Sequence, residues 1–219
     1  MTKRAVPVVL VATSGTGKTT LARRLVADSS RFVFSVSATT RAPRQGERDG
    51  VDYHFLERAD FEAKAATGEF VEWAEVHDQL YGTPRAEVDA AADRGEHIVL
   101  DIDVQGARQI RDSVSGAALI FVLPPSAGIM MARLMGRGTE ARAGIARRLR
   151  SALMELQAVP EFDYVVVNDD LEECLEELRS IVQGGRVVAS APEVDVEGLR
   201  LEIRRLLDDE YAEYVNITD

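Results

Sequence analysis

The chain has 219 residues, 46% hydrophobic and 29% charged, an ordinary globular composition that excludes disorder along its whole length. Its formal net charge of -11 excludes non-specific binding to nucleic acid or to an anionic membrane surface, so any phosphate chemistry needs basic residues gathered locally. A single cysteine, Cys174, and three scattered histidines, His54, His77 and His97, exclude a disulfide framework and a thiolate or imidazole metal cage.

In chain order, Val6–Ala12 reads as a buried strand, because it is a short and nearly continuous apolar run. It is too short for a signal peptide, and no stretch reaches the ~18 apolar residues of a membrane span; the cytoplasm is the expected compartment. A helix over Lys18–Ala27 follows, with Leu21, Leu25 and Val26 on one face, then a strand over Phe32–Val36. Between Ser37 and Arg85 the pattern changes: short runs at Val51–Phe55 and Phe70–Val76 flank a helix near Ala59–Ala66, which Gly68 closes. The alternation then resumes, with helices expected over Glu87–Arg94, Gln105–Arg111, Ser126–Met135, Ala143–Val159 and Leu171–Val182. The intervening strands are expected over His97–Val104, Ala117–Leu123 and Asp163–Val167. Strands separated by helices imply an α/β fold with a parallel, doubly wound sheet. Gly184-Gly185 marks a boundary, after which Val194–Tyr214 reads as an acidic, moderately amphipathic helix, solvated or offered to a second copy or partner.

Ala12-Thr13-Ser14-Gly15-Thr16-Gly17-Lys18-Thr19, followed by Thr20, fits the phosphate-loop pattern except that Ala12 stands where glycine is usual. The context is right, with a strand before and a helix after. Gly15 and Gly17 let the backbone curl its N–H groups onto one anion, and the helix start adds its positive dipole end. Lys18 reaches β- and γ-phosphates as a mobile charge, and the Thr19 hydroxyl suits Mg²⁺. With the rest of the loop intact, Ala12 is expected at negative φ. A second phosphate site is suggested by Arg41 and Arg44, which lie among hydroxyls in Ser37-Ala38-Thr39-Thr40-Arg41-Ala42-Pro43-Arg44. Glu72 alternates with Val71 and Trp73, the pattern of a strand's outward residue. Asp101 and Asp103, two apart on the expected strand, share a face; they suit a metal shell, acceptor positioning, a helix cap or an ion pair.

Further motifs follow in order: Gly50-Val51-Asp52-Tyr53-His54-Phe55, Gly68-Glu69-Phe70-Val71-Glu72-Trp73-Ala74, Tyr81-Gly82-Thr83-Pro84-Arg85, Leu100-Asp101-Ile102-Asp103-Val104-Gln105-Gly106-Ala107, Gly136-Arg137-Gly138-Thr139-Glu140 and Val167-Asn168-Asp169-Asp170. Together with the phosphate loop these strongly resemble the guanylate kinase family, from about Val6 to about Val182. The resemblance implies a P-loop NTPase parallel sheet flanked by helices, an inserted mixed α/β GMP-binding subdomain and a helical lid. It divides the chain into a core of residues 1–36 and 86–185 with a lid near 129–148, a GMP-binding insertion at 37–85 and an extension at 186–219. Leu80 replaces a tyrosine that often precedes Tyr81 in the family, and Ala12-Thr13 replaces Gly-Pro.

The implied reaction is Mg²⁺-dependent transfer of the ATP γ-phosphoryl group to GMP, and to dGMP, in line and without a covalent enzyme intermediate. By resemblance, Arg41, Arg44, Tyr53 and Tyr81 hold the GMP phosphate, and Ser37, Glu72, Thr83 and Asp103 face guanine. Guanine presents N1–H and N2–H₂ donors together, which one carboxylate accepts, whereas adenine puts an acceptor at N1 and opposes it. Arg133, Arg137 and Arg148 are implied as lid arginines and Asn168 as an adenine-side residue; the metal assignments, Asp101 and Thr19, rest on the strand-end and loop chemistry above. Lys18, Arg41, Arg137 and Arg148 form the implied catalytic set. A non-catalytic interaction module of the same fold, or a kinase for another phosphorylated acceptor, are the alternatives; the intact Lys18, Thr19, Arg137 and Arg148 oppose the first. ATP and GMP are the expected partners, with no nucleic acid or membrane and with a homo-oligomer through the extension as a further possibility. The extension has no expected place in phosphotransfer, so its removal is expected to spare kcat.

Overall fold

In a computed structural model the described residues are 5–76, 78–136, 142–184 and 195–214. His77, Arg137, Gly138, Thr139, Glu140, Gly185 and the ends of the extension lie outside them. The chain runs β1 (Val8–Ala12), α1 (Lys18–Ala27), β2 (Phe32–Phe34), β3 (Ala38–Thr39), β4 (His54–Phe55), α2 (Arg58–Ala66), β5 (Phe70–Val76), β6 (Gln79–Pro84) and α3 (Arg85–Arg94). It continues with β7 (His97–Asp101), α4 (Val104–Ser113), β8 (Ala118–Leu123), α5 (Ala127–Met135), α6 (Arg142–Glu155), β9 (Tyr164–Val167), α7 (Leu171–Val182) and α8 (Val196–Glu210).

A five-stranded parallel sheet has the order β2-β7-β1-β8-β9, and a four-stranded mixed sheet the order β4-β3-β6-β5. Every residue of β1 and β8 is buried, which is why these strands read as unbroken apolar runs rather than alternating ones. By contact, the chain forms two compact units. One holds Ala22–Leu119 with the described residues up to Leu10, the other Val11–Leu21 with the described residues from Ile120 onward.

The first unit contains the mixed sheet, with a small apolar cluster of Ala38, Phe61, Phe70 and Leu80 in which Phe61 stacks on Phe70 at 4.4 Å. Two of its strands, β3 and β6, are absent from the sequence expectation: two residues carry no period, and Gly82 and Pro84 disguise β6 as a turn. Only His54–Phe55 of the expected Val51–Phe55 strand forms, since Val51 and Asp52 turn back onto Arg48. The expected His97–Val104 strand stops at Asp101, because Asp103 caps α4 by accepting from the Gly106 N–H at 2.8 Å. Asp101 and Asp103 therefore do not share a strand face.

In the second unit the expected Ala143–Val159 helix gives way after Glu155 to a 3-10 turn over Leu156–Glu161, where Pro160 lacks the N–H that a further helical turn would need. The buried thiol of Cys174, its pKa pushed up to about 12 by burial, is a packing group on α7. The extension is not the solvated helix its acidic composition suggests. Leu199, Ile203, Leu207 and Tyr211 are buried, and α8 packs on α5 and α6. Glu202 accepts from the Ala127 N–H at 3.2 Å, one of the otherwise unpaired amides opening α5. Arg142 lies 4.9 Å over the Tyr211 ring, and Arg142 and Arg150 donate to the Glu210 and Tyr214 carbonyls. The apolar face offered by the sequence to a partner is thus taken up within the chain. Burial of each such side chain stabilises by about 1.5–3 kcal/mol, so a chain ending at Gly184 is expected to melt several degrees lower by calorimetry. An unchanged Tm would show that α8 is not docked in solution. Among the described residues no helix is long and apolar enough to cross a membrane.

Candidate active site

The phosphate loop joins β1 to α1 and is braced from within its own unit. Gly15 has φ +84 and Gly17 φ +92, conformations that side-chain-bearing residues seldom adopt. Space forbids a side chain as well: a Cβ at Gly15 would lie 2.9 Å from Leu134 Cγ and from the Met130 carbonyl, and one at Gly17 would lie 2.8 Å from Asn168 Nδ2. The buried hydroxyls of Thr13 and Thr16 pair at 2.8 Å, and the Thr16 N–H donates to the Thr13 carbonyl at 3.3 Å. Asn168 is only 5% exposed and donates from Nδ2 to the Thr16 carbonyl at 2.7 Å. It is therefore more than the strand-end turn residue that its position after β9 suggests. Arg133 on α5 donates to the same Thr16 carbonyl at 3.2 Å and to the Asn168 carbonyl at 3.0 Å; Arg148 on α6 donates to Ser14 Oγ at 3.1 Å. Lys18 is half-buried at the start of α1, with Thr19 and Thr20 exposed beside it.

Ala12 closes β1 with its methyl buried. Among the described residues Asp78 is the one non-glycine with positive φ, so Ala12 has the negative φ expected and suffers no left-handed strain. Ala12→Gly is accordingly expected to change kcat/KM by less than about tenfold, or 1.4 kcal/mol. A large gain in the glycine variant would show that the methyl compromises the loop.

The first unit gathers the second set of residues. Arg41, after β3, lies 5.4 Å over the Tyr53 ring, and Tyr53 meets Tyr81 edge-on at 6.2 Å. Burial, then Tyr81, raises the Tyr53 pKa above its ordinary value, so the phenol is a neutral donor near pH 7. Glu47, which the sequence reading passed over, accepts from Arg41 Nη2 at 2.9 and 3.0 Å and from the Arg44 N–H at 2.7 Å. The Arg44 amide and then Arg41 hold the Glu47 carboxyl below the usual carboxylate range. The Arg44 side chain itself is exposed, and Ser37 contributes its carbonyl to the His54 N–H. A carboxylate six residues from an arginine has no periodic signature. Only the loop's folding brings the two together.

Glu72 does not take the outward position that its alternation with Val71 and Trp73 allows. The simple alternation with Val71 and Trp73 fails: Val71 and Glu72 are 4% and 5% exposed, whereas Trp73 is 43% exposed. A register shift between Phe70 and Glu72 in the β5–β6 pairing turns two successive side chains inward. Glu72 accepts from Thr83 Oγ1 at 2.6 Å. Its pKa is pushed up to about 7, mainly by burial; Thr83 opposes the shift and the Asp103 charge adds to it. A buried carboxylate with one hydrogen-bonded neighbour retains lone pairs for a further donor.

The guanylate kinase family model matches residues 4–184. The guanylate kinase of Neisseria meningitidis serogroup A is 48% identical over 182 residues, 83% of this chain and 89% of that protein. That of Myxococcus xanthus is 47% identical over 196 residues, 89% of this chain and 93% of its own length. This chain belongs to the guanylate kinase family. The crystal structure of guanylate kinase from Anaplasma phagocytophilum agrees in fold, with TM-score 0.66 at 31% identity, covering 95% of this chain and 96% of that one. At the Ala12-Thr13 departure, Ala12 has no left-handed backbone and the Thr13 hydroxyl finds its partner inside the loop. The family's glycine-flanked arginine, Arg137, lies outside the described residues.

Proposed function

We propose that this chain catalyses Mg²⁺-dependent transfer of the ATP γ-phosphoryl group to GMP, and to dGMP, giving ADP and the nucleoside diphosphate by direct in-line displacement. The observation that carries the acceptor is Glu72, a buried carboxylate in a sheet beside Thr83 and near Asp103, suited to the paired N1–H and N2–H₂ donors of guanine. Ser37, Glu72, Thr83 and Asp103 take the base; Arg41, Arg44, Tyr53 and Tyr81 take its phosphate, for which Arg41 is released from Glu47. Residues 12–20 cradle the ATP phosphates, Arg133 and Asn168 hold that loop in shape, and Arg137 and Arg148 neutralise charge on the transferring group with Lys18. In this reading residues 37–85 are the GMP-binding insertion, 1–36 and 86–185 the core, with a lid near 129–148, and the cytoplasm is the compartment.

Thr19, a hydroxyl in the first turn of α1, and, in the other unit, Asp101, a carboxylate ending β7, are each a hard-oxygen group suited to Mg²⁺, an ion that keeps several waters and binds largely through substrate phosphates. When bound, the ion would supply charge neutralisation for the phosphates. Coupled measurement of ADP release with GMP, dGMP, AMP, CMP and UMP tests the proposal. Turnover with the two guanine nucleotides far above the rest is expected; comparable turnover with AMP, or none with GMP, overturns it.

A further inference from the structure

Glu72 sits on β5, the edge strand of the mixed sheet, and an edge strand is free to shift unless something pairs with it. Helix α4 does so with side chains rather than with another strand. Gln109 Oε1 accepts from the Trp73 N–H at 3.0 Å, and Gln109 Nε2 donates to the Trp73 carbonyl at 2.8 Å. The Ser113 hydroxyl donates to the Val71 carbonyl at 2.8 Å. The main chain is thus gripped on both sides of Glu72, and the irregular register at that point is held in one state.

The same helix also shapes the space for the carboxylate. Gly106 lies in the first turn of α4, where nothing in the backbone demands glycine: it is absent from the positive-φ glycines. Its lack of a side chain matters because a Cβ there would lie 2.7 Å from Glu72 Oε2, and 3.2 Å from Ile102 Cδ1. The nearest atom is the far end of a side chain, so a methyl group displaces the carboxylate and leaves the strand in place. Asp103, the N-cap, and Gly106, Gln109 and Ser113 recur at helical spacing, so one side of α4 meets Val71, Glu72 and Trp73 of β5.

We propose that Gly106 and Gln109 are specificity-determining positioning residues, Gly106 by leaving room for the Glu72 carboxylate and Gln109 by fixing the main chain that carries it. This rests on the assignment of Glu72 to guanine.

The test measures kcat and KM with GMP and with AMP for wild type, Gly106→Ala, Gln109→Met, Glu72→Ala and the Gly106→Ala/Glu72→Ala double variant, with Tm for each. Alanine favours a helix more than glycine does, so Gly106→Ala is expected to melt no lower than wild type. Its KM for GMP should rise about tenfold with kcat nearly unchanged, the signature of lost uniform binding. The GMP-to-AMP preference falls with it. Gln109→Met should lower that preference in the same direction, through β5. In the Glu72→Ala background the added methyl meets no carboxylate, so its effect on GMP should vanish. A general structural defect would instead lower Tm and depress both nucleotides together. Unchanged preference in Gly106→Ala, while Glu72→Ala loses it, overturns this proposal alone. Unchanged preference in Glu72→Ala overturns the guanine assignment and this proposal with it.

Discussion

Arg148→Ala is expected to lower kcat by about 10²-fold or more while the KM for GMP moves far less. Arg148 stands on α6 with its guanidinium on Ser14 Oγ, so its charge is held against the loop proposed to cradle phosphate. In phosphoryl transfer charge spreads over the oxygens of the moving group, and an arginine aimed at them acts mainly in the transition state. Arg148→Lys keeps the charge but loses the planar fork, and should recover only part of the rate. Arg133 makes a useful contrast: both of its bonds go to main-chain carbonyls, of Thr16 and Asn168. Its loss should therefore loosen the loop and raise the KM for ATP as well as lowering kcat. Arg137→Ala carries the same expectation as Arg148→Ala, on the family resemblance. Steady-state kinetics with each substrate varied separate these outcomes, and a near-normal kcat in both Arg137→Ala and Arg148→Ala removes the pair from the mechanism.

For Glu72→Gln the expected result is a fall of roughly 10- to 100-fold in kcat/KM for GMP, with AMP losing much less. The amide keeps the size but offers one acceptor and one donor, so it cannot accept from N1–H and N2–H₂ together. A charge-assisted hydrogen bond contributes about 1.5–3 kcal/mol, which sets the range. Equal losses for the two nucleotides would make Glu72 structural. Because burial raises the carboxyl to about 7, kcat/KM for GMP in the wild type should fall as pH drops through about 7, where the acceptor becomes protonated. That limb should be missing in Glu72→Gln.

Folding stability moves the other way. The folded pKa lies above the unfolded value of about 4.3, so this group's contribution is complete below about 4.3 and is lost as pH rises through about 7. Thermal melts of wild type and Glu72→Gln across that window check the sign: wild type should lose stability relative to Glu72→Gln as pH rises.

What the amino-acid order determined by itself was the chemistry that lies close along the chain. The loop from Ala12 to Thr19 carries its glycines, lysine and hydroxyls in eight consecutive residues, so the motif itself is a local property. Lys18–Ala27, Phe70–Val76 and Leu171–Val182 begin and end where their apolar spacing and flanking residues place them, because periodicity is a property of one element. The motif order likewise identified the family, since it needs no knowledge of contacts.

Other features depended on residues far apart in sequence. Glu72 is buried because β5 shifts register against β6 and α4 grips its edge, and neither partner is visible in the alternation around Glu72. Asp103 left the strand for a helix cap because the Gly106 amide needed an acceptor, a choice between two local structures that spacing leaves open. Asn168 and Gly17 became one contact across 151 positions, closed by the 2.7 Å bond to the Thr16 carbonyl. The extension's apolar stripe could have faced solvent, a second copy or its own chain. Only the packing of α8 on α5 and α6 decided it, because a periodic pattern states that a face must be covered and not by what.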